Sequence, residues 1–235
     1  MIAILVSVVS ALSLSSAALA QYVPVDFSSQ FNGSRNDAFL ANGGTFPTGP
    51  QLFTHNTDQV PVNMGGVGDL NTPWAWFANS AANGGPAPVA LTVNTNIANV
   101  TSVFTMINTF WGANGNPPFA SITFNATNAV TQTFSLIGND NIRDYNQFVW
   151  TNVINNTNTR EIFNNTFGQR LDMQRFDLSA AFATETLTSI VLNDAGFANF
   201  QRSFISGITA LQIPAPTAAA ALTLAGLAAA RRRRA

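Results

Sequence analysis

The chain has 235 residues, 46% of them hydrophobic and only 9% charged, with no cysteine, one histidine and a formal net charge of −1. Ordinary soluble domains carry about 25% charged residues, and a disordered polyelectrolyte would lack the nineteen Phe and four Trp found here. The missing cysteine excludes disulfide scaffolds, thiolate zinc sites and cysteine nucleophiles, and the single histidine excludes His-rich metal centres.

Residues 1–20 form an apolar run that closes on small residues, with Ala18 and Ala20 in an Ala-x-Ala arrangement. This pattern predicts a secretory signal peptide removed by signal peptidase between Ala20 and Gln21. No Lys or Arg precedes the run, so an uncleaved anchor is the competing expectation. The serines at 7, 10, 13, 15 and 16 and the small-residue exit favour cleavage.

From Ser28 to Pro88 the residues read as long loops holding isolated aromatics: Phe39, Phe46, Phe53, Trp74, Trp76 and Phe77. Loops of that length are uncommon in a compact domain, so unrecognised strands are expected there. Further on, runs rich in Val, Ile, Thr and Phe alternate with Asn, Gly and Pro clusters, predicting strands over 89–95, 101–110, 120–125, 131–137, 169–176, 186–193 and 202–211. In two of them Ile122, Phe124, Phe134 and Leu136 alternate with polar residues, as in antiparallel sheet with one wet face. No fixed-period repeat is present. Strands without intervening helices predict an all-β chain, an antiparallel β-sandwich or jelly roll.

Chemistry-bearing residues are few. Trp74 and Trp76, two apart in an extended segment, would point to one side and offer a stacking platform for sugar rings. Trp111, at the start of a Gly-rich loop, is a third glycan-contact candidate. The alternative for each is core packing, since Trp buries a large apolar area. Asp140, Asn141 and Asp144 crowd one turn and supply hard oxygens suited to a structural Ca²⁺, although the spacing is not that of an EF-hand. The alternative is that Asp140 and Asn141 satisfy turn backbone groups while Arg143 pairs with Asp144 or Asp172. Glycoside cleavage needs two facing carboxylates. Asp144 with Glu161 or Asp172 could supply them, but no local motif selects a pair. His55, in a Thr-His-Asn-Thr stretch, is expected on a surface loop, and the Asn/Thr run 151–159 is expected to be solvated.

At the other end, Pro214 and Pro216 precede an Ala/Leu run and then Arg231, Arg232, Arg233 and Arg234. The run is shorter than the roughly 20 residues that span a bilayer comfortably, and four adjacent arginines resist translocation. An amphipathic surface helix would need a polar face that this run lacks. Pro-x-Pro, a short apolar helix and a terminal arginine cluster resemble the PEP-CTERM sorting signal of exported bacterial proteins, with Ala215 where that signal usually carries Glu. The resemblance implies membrane contact through the tail, recognition near Pro214–Pro216 by an exosortase-type enzyme, and release or attachment at the cell surface or in extracellular matrix.

These ends divide the chain into a signal peptide (1–20), a body (21–213) and a sorting tail (214–235). Four of the ten basic residues lie in the tail, leaving six arginines against eleven acids in the body, a net charge of −5. An acidic, lysine-free body argues against a nucleic-acid partner. The motifs Val103–Gly112, Ile142–Asn146, Gly168–Asp172 and Gln201–Thr209 make the body similar to exported modules of galactose-binding-like jelly-roll character. The expected function is a non-enzymatic glycan-binding, adhesion or matrix module partnered by extracellular polysaccharide. The alternatives are a secreted polysaccharide hydrolase and a purely structural surface-layer component.

Overall fold

Short β-branched and aromatic runs separated by turn residues leave the backbone little alternative to extended pairing. The protein, here a computed structural model, is described for residues 20–37, 40, 43–78, 88–110, 120–149, 151–196 and 202–213. Ala20–Ile213 makes one compact unit. Expectations on the signal peptide before Ala20, on Trp111, and on Pro214, Pro216 and Arg231–Arg234 lie outside the described residues. The strands are β1 (Gln21–Pro24), β2 (Gly33–Ser34), β3 (Gly49–His55), β4 (Asp58–Met64), β5 (Pro73–Phe77), β6 (Val89–Ala98), β7 (Val100–Phe110), β8 (Ala120–Ala126), β9 (Thr131–Leu136), β10 (Thr159–Asn164), β11 (Arg170–Asp177), β12 (Thr186–Asp194) and β13 (Arg202–Gln212). The helical segments among the described residues are single 3₁₀ turns of three to five residues. None is long and apolar enough to cross a membrane.

All seven expected strands are present, and the chain is mostly β with antiparallel sheets. The large sheet runs β10-β11-β7-β13-β5-β2, with β1 also pairing β13. A smaller sheet runs β6-β12-β8-β9, and β3 and β4 form a separate hairpin. The pairs β5–β13, β6–β12, β7–β11 and β8–β9 are nested, as if one long hairpin were folded across both sheets. Passage from β6 in the small sheet to β7 in the large one takes a single residue, Asn99, at φ 56°. Asparagine tolerates this left-handed conformation, which most L-residues avoid.

One core lies between the sheets, formed by Val103 and Ile107 of β7, Ile205 and Ile208 of β13, Phe176 of β11, and Leu91, Ile122, Phe124, Ile190 and Leu192 of the small sheet. A second covers the opposite face of the large sheet. There the hairpin's Phe53, Val60, Val62 and Met64 pack on Phe104, Met106, Trp74, Phe204 and Met173. Strands β7 and β13 are thus buried on both faces, whereas β8 keeps the expected alternation. The hairpin lies so close that a Cβ on Gly207 would collide with Val62 Cγ1.

The long-loop reading of 28–88 is corrected: β2, β3, β4 and β5 all fall within it. Pro50 and Pro61 disguise β3 and β4, because proline ordinarily argues against a strand. In a two-stranded hairpin both strands are edges, where a missing N–H costs little.

His55 is also corrected. It ends β3 fully buried, its ring edge-on to Phe104 and its Nε2 3.1 Å from the Asn158 carbonyl oxygen. Burial, chiefly, pulls its pKa below the ordinary value, and the Arg160 and Arg175 charges act in the same direction. The unfolded chain therefore binds the proton better, so stability supplied by neutral His55 is present above about pH 6.5 and is lost as pH falls through that value. The melting temperature should drop between pH 7 and pH 5, and His55→Gln should flatten that slope; an unchanged slope in the variant would refute the assignment. No other histidine titrates in this window.

Candidate functional site

After β9 the chain makes a tight turn built on one asparagine. Asn141 Oδ1 accepts the Ile137 N–H at 2.7 Å, and its Nδ2 donates to the Ser135 carbonyl at 2.8 Å. Asn139, at φ 60°, completes the reversal. The returning chain lays Asp144 beside Thr109 at the end of β7, and the Arg143 side chain reaches Asp172 of β11 in the large sheet.

There the β7–β11 ladder ends at Met173↔Met106, and side chains take over the backbone groups that lose partners. Gln174 Oε1 accepts the Ile107 N–H while its Nε2 donates to the Ile107 carbonyl. Asn108 Oδ1 accepts the Asp172 N–H, and its Nδ2 donates to Asp172 Oδ2 at 2.7 Å. Arg143 closes the gap with two parallel bonds, Nε to Asp172 Oδ2 at 2.8 Å and Nη2 to Oδ1 at 2.6 Å. The same Nη2 reaches Glu161 Oε2 at 2.6 Å, and Nη1 donates to the Asn152 carbonyl. Of the two acids the sequence offers to Arg143, Asp172 is the partner. Burial raises the Asp172 carboxyl above the ordinary carboxylate value, against which the Arg143 guanidinium acts. Such two-pronged geometry is why arginine rather than lysine suits a buried pair.

The outer side of Arg143 forms part of a groove of about 600 Å³. Asn152, Asn155, Asn156, Arg160 and Glu161 line it, together with Val153 and Thr157. The turn holds this wall in place, because the backbone N–H groups of Asn155 and Asn156 both donate to the Asp140 carbonyl at 3.1 Å. Asn155 Nδ2 also donates to the Asn139 carbonyl. Of the run 151–159, residues 152–158 are irregular and largely exposed, as its composition predicts, but Thr151 and Thr159 at its two ends are buried and Thr159 opens β10. The amides and hydroxyls of this run and the Arg160 guanidinium are donors and acceptors spaced along an open surface, suited to a polyhydroxylated ligand.

The residues expected to bind calcium are put to three uses. Asp140 anchors the groove loop through its carbonyl, Asn141 spends both amide atoms on the turn, and the fully buried Asp144 accepts the Asn146 N–H at 2.7 Å. Among the described residues no group of three or more His, Cys, Asp or Glu could hold a metal ion. In the acid pairs considered for glycoside cleavage Asp144 and Asp172 are both 0% exposed, whereas the Glu161 side chain is 38% exposed and is the acid among the groove's described lining residues.

Trp74 and Trp76 do not share a face. Gly33 pairs with Ala75 and Ser34 with Pro73, so Trp74 is an extra residue at a bulge and the strand's alternation breaks there. Trp74 sits in the outer core, stacked on Phe46 at 5.0 Å, with Nε1 donating to the Pro47 carbonyl. Trp76 sits in the core between the sheets. At 0% and 8% exposure both are committed to packing, the alternative their composition allowed. What sequence reading missed is the groove itself and two exposed aromatics, Phe148 and Phe167. The Asn/Thr run was a visible signal for the first; neither phenylalanine stands out among nineteen.

No protein-family model matches this chain, and comparison with curated proteins finds no similar sequence.

Proposed function

We propose that this chain is an exported protein of the bacterial cell surface or extracellular matrix, whose jelly-roll body binds a glycan without cleaving it. The observation that carries the binding half is the groove beside Arg143, with its amide, hydroxyl and guanidinium lining and its lone described acid, Glu161. Hydrogen-bonding groups of this kind on a rigid scaffold match the hydroxyl pattern of a polysaccharide. Hydrolysis would need a second carboxylate across the groove from Glu161. The nested strand pairing supports the jelly-roll reading, an architecture that also serves lectin domains.

The export half rests on the two chain ends: signal peptidase cleavage after Ala20, transient membrane contact through the tail, and exosortase-type processing near Pro214–Pro216. Intact-mass spectrometry of the exported protein should show loss of residues 1–20 and of Arg231–Arg234, while the same preparation should be retarded in a gel containing the host's extracellular polysaccharide. An intact carboxyl end would refute the sorting assignment. Unretarded migration would refute glycan binding and leave a structural layer component as the better account.

A further inference from the structure

We infer that Phe148 and Phe167 form a paired stacking platform for the sugar rings of a neutral polysaccharide, extending the groove beside Arg143; this rests on the glycan-binding reading above. The two are the exposed aromatic residues among the described large hydrophobics, at 78% and 54%. They sit on neighbouring loop tips: Asn146 bridges Gln169 antiparallel, and the Gln147 N–H donates to the Gly168 carbonyl at 2.9 Å, each of these last two residues adjoining one of the phenylalanines.

Both tips are built alike and held firmly. Asn146 Oδ1 accepts the Phe148 N–H at 3.0 Å, and Asn165 Oδ1 accepts the Phe167 N–H at 2.9 Å. Asn146 is tied through its own N–H to the buried Asp144, and Asn165 is tied through its amide to Gln169 and Thr45. Gly168, at φ +76°, leaves room for the Gln147 side chain, whose Nε2 would lie 2.6 Å from a Cβ placed there. Loop backbones anchored in this way need less ordering when a partner binds, which lowers the cost of binding.

In the chain, both phenylalanines follow or precede groove-lining residues by a few positions. Val153, 45% exposed and part of the groove, lies on the same loop as Phe148. Glu161 accepts a hydrogen bond from Asn164 at 3.1 Å, and Asn164 begins the loop that carries Phe167. A linear polymer lying along the groove would therefore meet hydrogen-bonding groups first and aromatic faces next, the two surfaces a sugar ring presents.

Charge selects the neutral class. Arg143 is bound by two acids, Asp172 and Glu161, and of the groove's ionised lining residues Arg160 carries the remaining positive charge. Against the net −5 of the body, that leaves no cationic track for a polyanion.

The test is affinity electrophoresis of the protein as the cell exports it, against neutral polysaccharides and uronic-acid polymers, with sedimentation of the free protein alongside. The Phe148→Ala/Phe167→Ala variant should weaken binding to a neutral polymer by about tenfold or more (about 1.4 kcal/mol) with the melting temperature unchanged. Phe148→Trp/Phe167→Trp should retain or strengthen binding. If the parent binds and the alanine variant binds equally well, the platform is overturned while the glycan reading stands. If the parent binds no polymer, the glycan reading fails and takes the platform with it. Preference for uronic-acid polymers that vanishes with added salt overturns the neutral class. A dimer of the parent that the alanine variant abolishes overturns the platform in favour of a contact between copies of this chain.

Discussion

Replacing Arg143 with methionine should lower the stability of the protein by about 3–5 kcal/mol, because it strands a buried carboxylate. Asp172 is wholly inaccessible and the Arg143 side chain is 10% exposed, so water cannot replace the lost guanidinium. Asn108 would remain as a partner, but one amide does not neutralise a charge. Urea unfolding of the parent and variant measures the difference, and a loss below about 1 kcal/mol would place the pair among solvated surface bridges instead. Adding Asp172→Leu to Arg143→Met should recover part of the loss, since removing both charges also removes the desolvation penalty. That recovery separates an electrostatic role from simple packing by the arginine stem.

Trp74→Ala should be comparably damaging, about 3–5 kcal/mol, as for other large aromatics removed from a core. The indole is 0% exposed, lies against Phe46 and Phe204, and satisfies the Pro47 carbonyl. Thermal unfolding reads the result, with each kcal/mol worth roughly 2–4 °C in a domain of this size. A sugar-contacting tryptophan would give the opposite outcome, an unchanged melting temperature with lost binding.

The contrast between Trp74 and Phe148 shows what the sequence made legible. Strand positions from Val89 onward, β10 apart, were readable because β-branched runs and Asn/Gly punctuation act locally. Ile122 and Phe124 even revealed which face of β8 is buried. The facing of Trp74 depends on a bulge against Gly33, some forty residues away in the chain, and no local pattern encodes that register. The outer core was hidden for a related reason: β7 carries apolar residues on both faces because a hairpin with two prolines covers it. At the candidate site, Arg143 and its acidic partners could be nominated from composition. The choice of Asp172 over Asp144, and the groove walls around them, follow from where the β7–β11 ladder opens.

The central place of β13 has a consequence for the order of events during synthesis. The last strand of the body pairs with β1, β5 and β7, and Gln21 lies opposite Gln212. Neither the large sheet nor either core can close until residues 202–212 arrive, so nearly the whole body must be made before its fold is complete. Pairings this distant in the chain are slow to form, because loop-closure entropy is lost before contacts compensate it. If the chain is exported as proposed above, that delay would keep its segments from locking into a final structure before transit.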